Sequence, residues 1–305
     1  MNDLSYKKVM IKLSFLYIIA VLLISSPAIA EVSFQYSGIA GVHLSDGKTS
    51  LFFDPVFSRP NIFEILAGNE FKIDNKMIHR ELKKLNIQKL DAIFIGHTHP
   101  DHALDMHIIQ KEVGGVIYGS RTTVNIALSL NIKKENTQIF SDDSKYQVGD
   151  FSIRVLKSKH GKIFGIYKFR DGEILTPLKR SLTLSDYVMG GSYSFYISHP
   201  EGDFLIHQSS RATKNVTKMI RGKKLKAVFQ GIANRKSSKS LYDEIINIPK
   251  SVDLIVPIHH DNFLLDMNEK DMEYLWFVNV QDFLEESKRH SQKVLLPKYR
   301  KIYKL

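Results

Sequence analysis

The feature that most constrains this chain is a short apolar run that ends in a cluster of histidines. Residues 90–95 (LDAIFI) have the pattern of a buried strand, and residues 96–102 (GHTHPDH) follow directly. Three histidines and an aspartate within six residues arise by chance in roughly one chain in a thousand of this composition. The sequence therefore predicts imidazoles and a carboxylate gathered at the end of an inner strand.

The spacing within this cluster suits metal ions. In an extended backbone, residues two apart point to the same side, so His97 and His99 can reach one ion. Asp101 and His102 lie beyond the bend and can face a second ion. Neutral imidazole and carboxylate suit Zn²⁺, which we expect here, and also Mn²⁺ or Fe. The alternative interpretation is a set of ordinary surface loop residues.

Two later histidines follow strand-like runs, and they complete the predicted ligand sets. His160 comes after residues 151–156, and His259 comes after residues 253–258. A catalytic metal commonly has three protein ligands and one open position. The first predicted set is His97, His99 and His160. The second predicted set is Asp101, His102 and His259.

Composition narrows the chemistry further. The 305 residues include no cysteine, which excludes disulfides, thiolate metal sites and cysteine nucleophiles. A hydrophobic share of 43% with 25% charged residues is typical of a folded globular protein. The net charge of +11 suggests an anionic partner. No nucleic-acid-binding motif accompanies the basic residues, so we predict no nucleic-acid partner.

The first thirty residues have the pattern of a secretory signal peptide. Lys7, Lys8 and Lys12 precede an uncharged apolar run at residues 13–24, and small residues lead up to Ala30. We predict cleavage after Ala30 and a periplasmic or secreted protein, a setting where a chain without cysteine is ordinary. The alternative is an uncleaved membrane anchor, although a spanning helix needs roughly 20 apolar residues.

The order of predicted elements indicates the fold class. Strand-like runs come first as a meander and later alternate with amphipathic segments, without an internal repeat or a long linker. This order predicts an α/β sandwich of two sheets flanked by helices, formed as a single domain by residues 31–305. The helical predictions include residues 73–86 and residues 272–288.

With these residues in view, the chain resembles the metallo-β-lactamase-fold hydrolases. Their signature His-x-His-x-Asp-His is met in full by His97, His99, Asp101 and His102. The runs LFFDP at residues 51–55, GHTHPDHALD at the motif and VPIH ending at His259 most resemble one branch. That branch contains ascorbate-phosphate lactonases and N-acylphosphatidylethanolamine-hydrolysing phospholipase D. The likeness covers nearly all of residues 31–270 and implies an αββα sandwich of two mixed sheets.

One departure from the family pattern concerns the second metal. The family usually places a metal-bridging aspartate after the strand that here spans residues 203–206, but the sequence continues with His207, Gln208, Ser209 and Ser210. Three readings remain: one metal, two metals bridged by water, or His207 as a replacement ligand. Since a bridging carboxylate offsets repulsion between two dications, we expect one tightly held ion and a weaker second.

The resemblance implies an exported hydrolase that uses a metal-activated water to cleave a phosphodiester, a lactone or another ester. The expected substrate is an anionic small-molecule or lipid ester, with peripheral contact to an anionic membrane surface as a further option. Asp101 is predicted to orient the water or hold the second ion. Asp54 is predicted to hydrogen-bond a ligand histidine, with an ordinary Asp-Pro turn as the alternative. His260 and Asp261 have either a proton-transfer role or a simple loop role.

Residues 161–193 form a long connection whose lysines and arginines can hold a phosphate or carboxylate of the substrate. The alternative is an ordinary solvated excursion. This connection includes Tyr167, Arg170, Lys179, Arg180, Tyr187 and Gly190–Gly191. Two other functions remain open: a catalytically weak metal-containing protein that binds a membrane or cell-wall ligand, and a β-lactamase. The β-lactamase ranks lower because enzymes of the branch that this chain resembles act on other bonds.

Overall fold

Two seven-stranded β-sheets pack face to face in the part of the chain that the computed structural model describes, residues 31–162, 169–265, 267 and 272–305. The predicted signal peptide at residues 1–30 and the loop residue Tyr167 lie outside the described residues. Both sheets contain parallel and antiparallel pairs, as the resemblance implied. Among the described residues, no helix is long and apolar enough to cross a membrane.

The first sheet has the strand order β14-β1-β2-β3-β4-β5-β6. Its strands are β1 (Ser33–Gly38), β2 (Gly41–Ser45), β3 (Ser50–Phe53), β4 (Ala92–Phe94), β5 (Val116–Gly119), β6 (Thr137–Ile139) and β14 (Ile302–Lys304). Strands β3 and β4 are parallel, with Phe53 beside Phe94, so their carboxyl ends meet at one edge of the sheet. Asp54 and Gly96 follow these two strands.

The second sheet has the strand order β12-β11-β10-β9-β8-β7, and β13 also pairs with β11. Its strands are β7 (Lys145–Val148), β8 (Phe151–Lys157), β9 (Tyr193–His199), β10 (Gly202–His207), β11 (Lys224–Gly231), β12 (Ser251–Val252) and β13 (Ile255–Ile258). Strands β10, β11 and β13 run parallel, and β8 points the same way because β9 is antiparallel to both β8 and β10. The carboxyl ends of β8, β10 and β13 therefore share an edge.

Helices cover the outer face of each sheet. They are α1 (Ile62–Ala67), α2 (Asn75–Lys84), α3 (Pro100–Ala103), α4 (Met106–Val113), α5 (Arg121–Ser129), α6 (Lys214–Ile220), α7 (Ser238–Leu241) and α8 (Val280–Arg289). One apolar cluster joins α2, α4 and α5 to the first sheet, and another joins α6, α7 and α8 to the second. This arrangement confirms the αββα sandwich.

The space between the two sheets is filled largely by aromatic side chains. Phe94 stacks on Phe53 with ring centroids 5.2 Å apart and meets Phe195 from the opposite sheet at 5.5 Å. These three rings are fully buried. Full burial of a side chain of this size contributes roughly 1.5–3 kcal/mol to stability. A rigid aromatic core thus fixes β4, whose carboxyl end continues into the histidine cluster.

One helix boundary in the sequence analysis is wrong. The helix predicted over residues 272–288 begins only at Val280, where the Asn279 side chain caps it by accepting the backbone N–H of Asp282 at 2.9 Å. The segment before it is held out of a helix, because Tyr274 bridges to Asp261 and the N–H of Leu275 donates to the carbonyl of His260. Periodicity alone does not show such a cap.

Candidate metal centre

The carboxyl ends of four strands bring the predicted ligands to one edge of the sandwich. Strand β3 leads to Asp54, β4 to the cluster that starts at His97, β8 to His160 and β13 to His259. His97, His99 and His102 are at most 3% exposed. Residues just beyond a strand end no longer pair with a neighbouring strand, so their side chains can point toward a common site.

The first predicted set is brought together. His97, His99 and His160 each offer one ligand atom within 4.8 Å of the others. The ring Nδ1 of His160 donates to the carbonyl of Gly161 at 2.6 Å, which leaves the Nε2 lone pair for a metal. His99 is oriented in the same manner by a hydrogen bond to the backbone of Arg170.

The second predicted set is also brought together. Oδ2 of Asp101 lies 3.5 Å from Nε2 of His102 and 3.2 Å from Nε2 of His259. Ligands about 2.0–2.1 Å from a tetrahedral Zn²⁺ stand about 3.3 Å from one another, so both separations fit a shared ion. His259 adopts a left-handed backbone with φ of 58°, and such uncommon conformations concentrate at functional sites.

Asp54 connects the two strand ends beneath the cluster. Its Oδ2 lies 2.5 Å from Nδ1 of His102, and its Oδ1 accepts the backbone N–H of Gly96 at 2.6 Å. A carboxylate at Nδ1 fixes the tautomer of His102 that presents the Nε2 lone pair. The position also has φ of 42°, which aspartate tolerates better than most residues.

The residues present fit a metal ion. Three histidines of the cluster have buried ring nitrogens without a hydrogen-bond partner among the described residues: Nε2 of His99, Nε2 of His102 and both ring nitrogens of His97, of which a metal ion can take one. Each unpaired buried polar atom costs about 1–3 kcal/mol, so the chain would not retain this many without a ligand to satisfy them. Imidazole and carboxylate together suit Zn²⁺ and iron alike.

The electrostatics keep the site in a metal-binding form. Burial lowers the pKa of His97 well below its usual value, and burial with the neighbouring His160 lowers the pKa of His99 to about 3. Burial raises the pKa of Asp101, but the nearby His102 and His259 outweigh it and hold that pKa below its ordinary range. At neutral pH the site therefore presents neutral imidazoles at His97 and His99 beside an ionised Asp101. Burial lowers the pKa of His102, but the carboxylates of Asp101 and Asp54 outweigh it and raise that pKa.

The structure does not group His207 with these ligands. Among the described residues, no set with ligand spacing includes His207, and its Nδ1 hydrogen-bonds the hydroxyl of Ser194 at 2.6 Å. Ser209, in the segment where the resemblance implies a bridging aspartate, has a hydroxyl that hydrogen-bonds that of Ser192 at 2.6 Å. The option of His207 as a replacement ligand therefore lacks support from the geometry.

A further group of metal-ligand residues lies at the opposite edge of the sandwich, where Asp46, Asp150 and His199 approach one another. The Nδ1 of His199 accepts the backbone N–H of Glu201 at 3.1 Å. Neutral His199 therefore carries its proton on Nε2, which lies 3.4 Å from Oδ2 of Asp46. This geometry favours a histidine–aspartate contact over a metal site.

The two residues after His259 serve the scaffold. Asp261 accepts hydrogen bonds from the hydroxyls of Tyr36 at 2.7 Å and Tyr299 at 2.8 Å, and Arg59 lies 3.8 Å away. His260 stacks on Tyr36 with centroids 5.6 Å apart. These contacts tie the loop that bears His259 to the first sheet, and sequence reasoning had no signal for them.

Within the long connection at residues 161–193, the arginines are used internally. Arg180 pairs with Asp186 through bonds of 2.5 and 2.8 Å, and Arg170 donates to the carbonyls of Leu184 and Ile65. The connection nevertheless lies against the site, because Phe169 meets the ring of His99 at 5.7 Å. Both arginines are therefore engaged within the protein, and their contact with a substrate stays a prediction.

Comparison with known proteins gives structural likeness only. No family model matches the sequence, and no curated protein sequence matches it significantly. Igni18, a metallo hydrolase from the archaeon Ignicoccus hospitalis, is 13% identical with a TM-score of 0.54, over 90% of this chain and 98% of that one. An isothiocyanate hydrolase from Delia radicum gut bacteria is 16% identical with a TM-score of 0.57, over 90% and 100%.

A third similar structure carries a different chemistry. CmlA, a diiron β-hydroxylase from Streptomyces venezuelae, is 15% identical with a TM-score of 0.57, over 92% of this chain and 55% of that one. At such identities the likeness concerns architecture rather than activity. Two mixed sheets between helical layers, with the His-x-His-x-Asp-His segment at their common edge, give this chain the metallo-β-lactamase fold.

Proposed function

We propose that the protein is an exported metal-dependent hydrolase that cleaves a phosphodiester, a lactone or another ester. The observation that supports this most is the convergence of two three-residue ligand sets on one edge of the sandwich. The 3.2 and 3.5 Å separations around Asp101 match those between ligands of a single ion. In the set formed by His97, His99 and His160, the unpaired ring nitrogens of His97 and His99 likewise favour a bound metal ion.

Each residue has a distinct task in this proposal. A divalent cation bound here would act as a Lewis acid and would lower the pKa of a coordinated water to about 7. Asp54 holds the Nδ1 proton of His102 and so keeps the ligand tautomer. Asp101, with a pKa held below its usual range, stays ionised and can accept a hydrogen bond from the attacking water. Phe169 limits access of bulk water near His99.

The substrate class is inferred from several partial indications. The runs at residues 51–55 and 256–259 resemble the branch of lactonases and phospholipase D. Structures of similar fold include metal-dependent hydrolases and a diiron enzyme, so the fold alone accommodates more than one metal. We propose Zn²⁺ because three imidazoles, or two with one carboxylate, are its ordinary ligand sets.

The test is a panel of substrates assayed with the wild type and His99→Ala. Bis-p-nitrophenyl phosphate, a γ-lactone and nitrocefin represent the phosphodiester, lactone and β-lactam options. Hydrolysis of one of the first two, lost by His99→Ala, supports the proposal. Turnover of nitrocefin alone would make the protein a β-lactamase. Absence of turnover with Zn²⁺, Mn²⁺ or Fe²⁺ would favour a binding protein.

Export is a separate part of the proposal. It rests on Lys7, Lys8 and Lys12, the apolar run at residues 13–24 and the small residues before Ala30. N-terminal sequencing of protein recovered from the periplasm or medium is expected to begin at Glu31. Mature material that begins at Met1 would contradict it.

A further inference from the structure

A basic cavity of about 580 Å³ is lined in part by the segment that follows the predicted ligand His160. It is lined by Lys162, Arg211, Ile232, Asn234, Arg235, Lys236, Ser237, Phe277, Asn279 and Asp282. Four of these residues are cationic at neutral pH and one is acidic. A cavity of this size is large enough for a small-molecule ligand.

The single acidic group of this lining is already engaged. Asp282 accepts a hydrogen bond of 2.5 Å from the hydroxyl of Ser238 and lies 3.2 Å from the guanidinium of Arg235. Arg235 also donates to the carbonyl of Ile232 at 2.9 Å, and its side chain is only 8% exposed. This pair is a fixed part of the wall and leaves the charge of the other three cations uncompensated.

Those three cations are Lys162, Arg211 and Lys236. None of them forms an ion pair with a carboxylate in the part of the chain that the structure describes. Lys162 and Lys236 are exposed at the cavity, and Arg211 is half-buried. Three cations that line one cavity and have no acidic partner attract an anion.

The cavity is connected to the predicted metal site through the segment that bears His160. Lys162 lies two residues after His160, and Gly161 between them packs directly on Asn234. A Cβ at Gly161 would stand 2.5 Å from the Asn234 carbonyl oxygen and 2.5 Å from the Ser210 hydroxyl. Only glycine allows this approach, which brings the cavity wall against the segment that bears a predicted ligand.

We propose that this cavity binds the anionic group of the substrate while the ester bond lies at the metal site. The substrate class is then an ester that bears a phosphate or carboxylate away from the bond that is cleaved. Ile232 and Phe277 add apolar surface for the carbon skeleton between the two groups. This inference rests on the proposed hydrolase for the position of the ester bond, but the binding of an anion does not depend on catalysis.

Direct binding tests the cavity independently of turnover. Phenyl phosphate and its neutral counterpart benzyl alcohol are titrated into the full-length protein and into Lys162→Gln/Lys236→Gln. We expect phenyl phosphate to bind the wild type, with affinity that falls as salt rises, and at least tenfold more weakly to the double variant. Benzyl alcohol should bind both proteins equally weakly. Lys239→Gln, an exposed lysine three residues beyond Lys236 and paired with Asp243, should behave as wild type.

A kinetic comparison then locates the ester. The ratio of kcat/KM for mono-4-nitrophenyl succinate over 4-nitrophenyl butyrate should fall about tenfold in Lys162→Gln/Lys236→Gln, through a higher KM for the anionic ester. If neither ester is hydrolysed but phenyl phosphate still binds, the proposed hydrolase activity is contradicted and the anion site is retained. Equal phenyl phosphate binding by the double variant and the wild type, or none by the wild type at millimolar concentration, would overturn the cavity proposal.

Discussion

Oδ2 of Asp54 lies 2.5 Å from Nδ1 of His102, while Oδ1 of the same carboxylate accepts the N–H of Gly96. One buried side chain thus joins the end of β3 to the end of β4 and orients a predicted metal ligand. The neutral state of this carboxyl is favoured by burial, which raises its pKa, and opposed by His102. Asp54 therefore couples local structure to the ligand geometry.

Replacing Asp54 with asparagine tests this coupling. The amide keeps the shape but offers one oxygen, so it can satisfy either the Gly96 N–H or the His102 Nδ1–H. Loss of such an outer hydrogen bond typically lowers metal affinity 10–100-fold. We expect this loss for Zn²⁺ in Asp54→Asn, measured by competition with a chelator. Asp46→Asn, which also alters a buried carboxylate that accepts backbone N–H groups, is the control and should retain wild-type affinity.

The second prediction concerns metal stoichiometry. Ser209 lies in the segment where the resemblance implies a bridging aspartate, but it has no carboxylate, and its hydroxyl is engaged by Ser192 at 2.6 Å. After dialysis, metal analysis should find one retained ion per chain, with a second bound only in excess metal. Ser209→Asp is expected to increase retention of the second ion, whereas Ser192→Ala should not. Two ions equally retained by the wild type would contradict the prediction.

The third prediction concerns a close approach behind His97. A Cβ on Gly96 would lie 2.3 Å from Oε1 of Gln208, whose side-chain amide has no hydrogen-bond partner in the described part of the chain. Gly96→Ala must displace this amide or shift the start of the histidine cluster. Misplacement of a catalytic group by about 1 Å can cost roughly 100-fold in rate. We expect a loss of that order in kcat.

The double variant Gly96→Ala/Gln208→Ala separates the two explanations. Removing the amide opens the space that the new methyl group needs, so kcat should recover by at least tenfold relative to Gly96→Ala. Gln208→Ala alone should change kcat by less than threefold. A double variant as impaired as Gly96→Ala would show that the methyl group acts through the carbonyl of Tyr193, 3.2 Å from the new Cβ, instead.

The histidine cluster and the strand ends could be predicted from the sequence because both are local signals. The apolar run before GHTHPDH predicts strand β4 and places the histidines just beyond its carboxyl end. The alternation of strands with helices predicts the sandwich. In the same way, the strand-like run at residues 151–156 predicted that His160 lies at a strand end. The position of Asp54 near the cluster could be predicted as well, because Asp54 follows β3 and parallel neighbouring strands end at the same edge of a sheet.

What the sequence did not reveal depends on contacts between distant segments. The hydroxyl contact between Ser209 and Ser192 and the grouping of Lys162, Arg211 and Lys236 around one cavity follow from tertiary packing. The late start of α8 depends on the cap at Asn279. Periodicity indicates the buried face and the approximate length of a helix or strand, but it does not show which distant side chains come into contact.

A buried histidine far from the strand ends gives the last prediction, which concerns pH. His43 lies on β2, with Nδ1 3.1 Å from Oε1 of Gln35 and Nε2 2.7 Å from the hydroxyl of Ser50. Burial lowers the pKa of His43 to about 4 in the folded protein. In the unfolded chain the pKa of histidine is about 6.5.

Acidification should therefore destabilise the fold through His43. Below pH 6.5 the unfolded chain binds a proton that folded His43 rejects, so the free energy of unfolding falls until about pH 4 and then levels off. The contribution is at most about 3 kcal/mol. In urea unfolding, His43→Gln should lack this contribution, so its stability deficit relative to wild type should shrink between pH 7 and pH 4. Ser50→Ala removes one hydrogen bond but leaves the histidine, so its deficit should stay nearly constant; a constant deficit for His43→Gln would contradict the assignment.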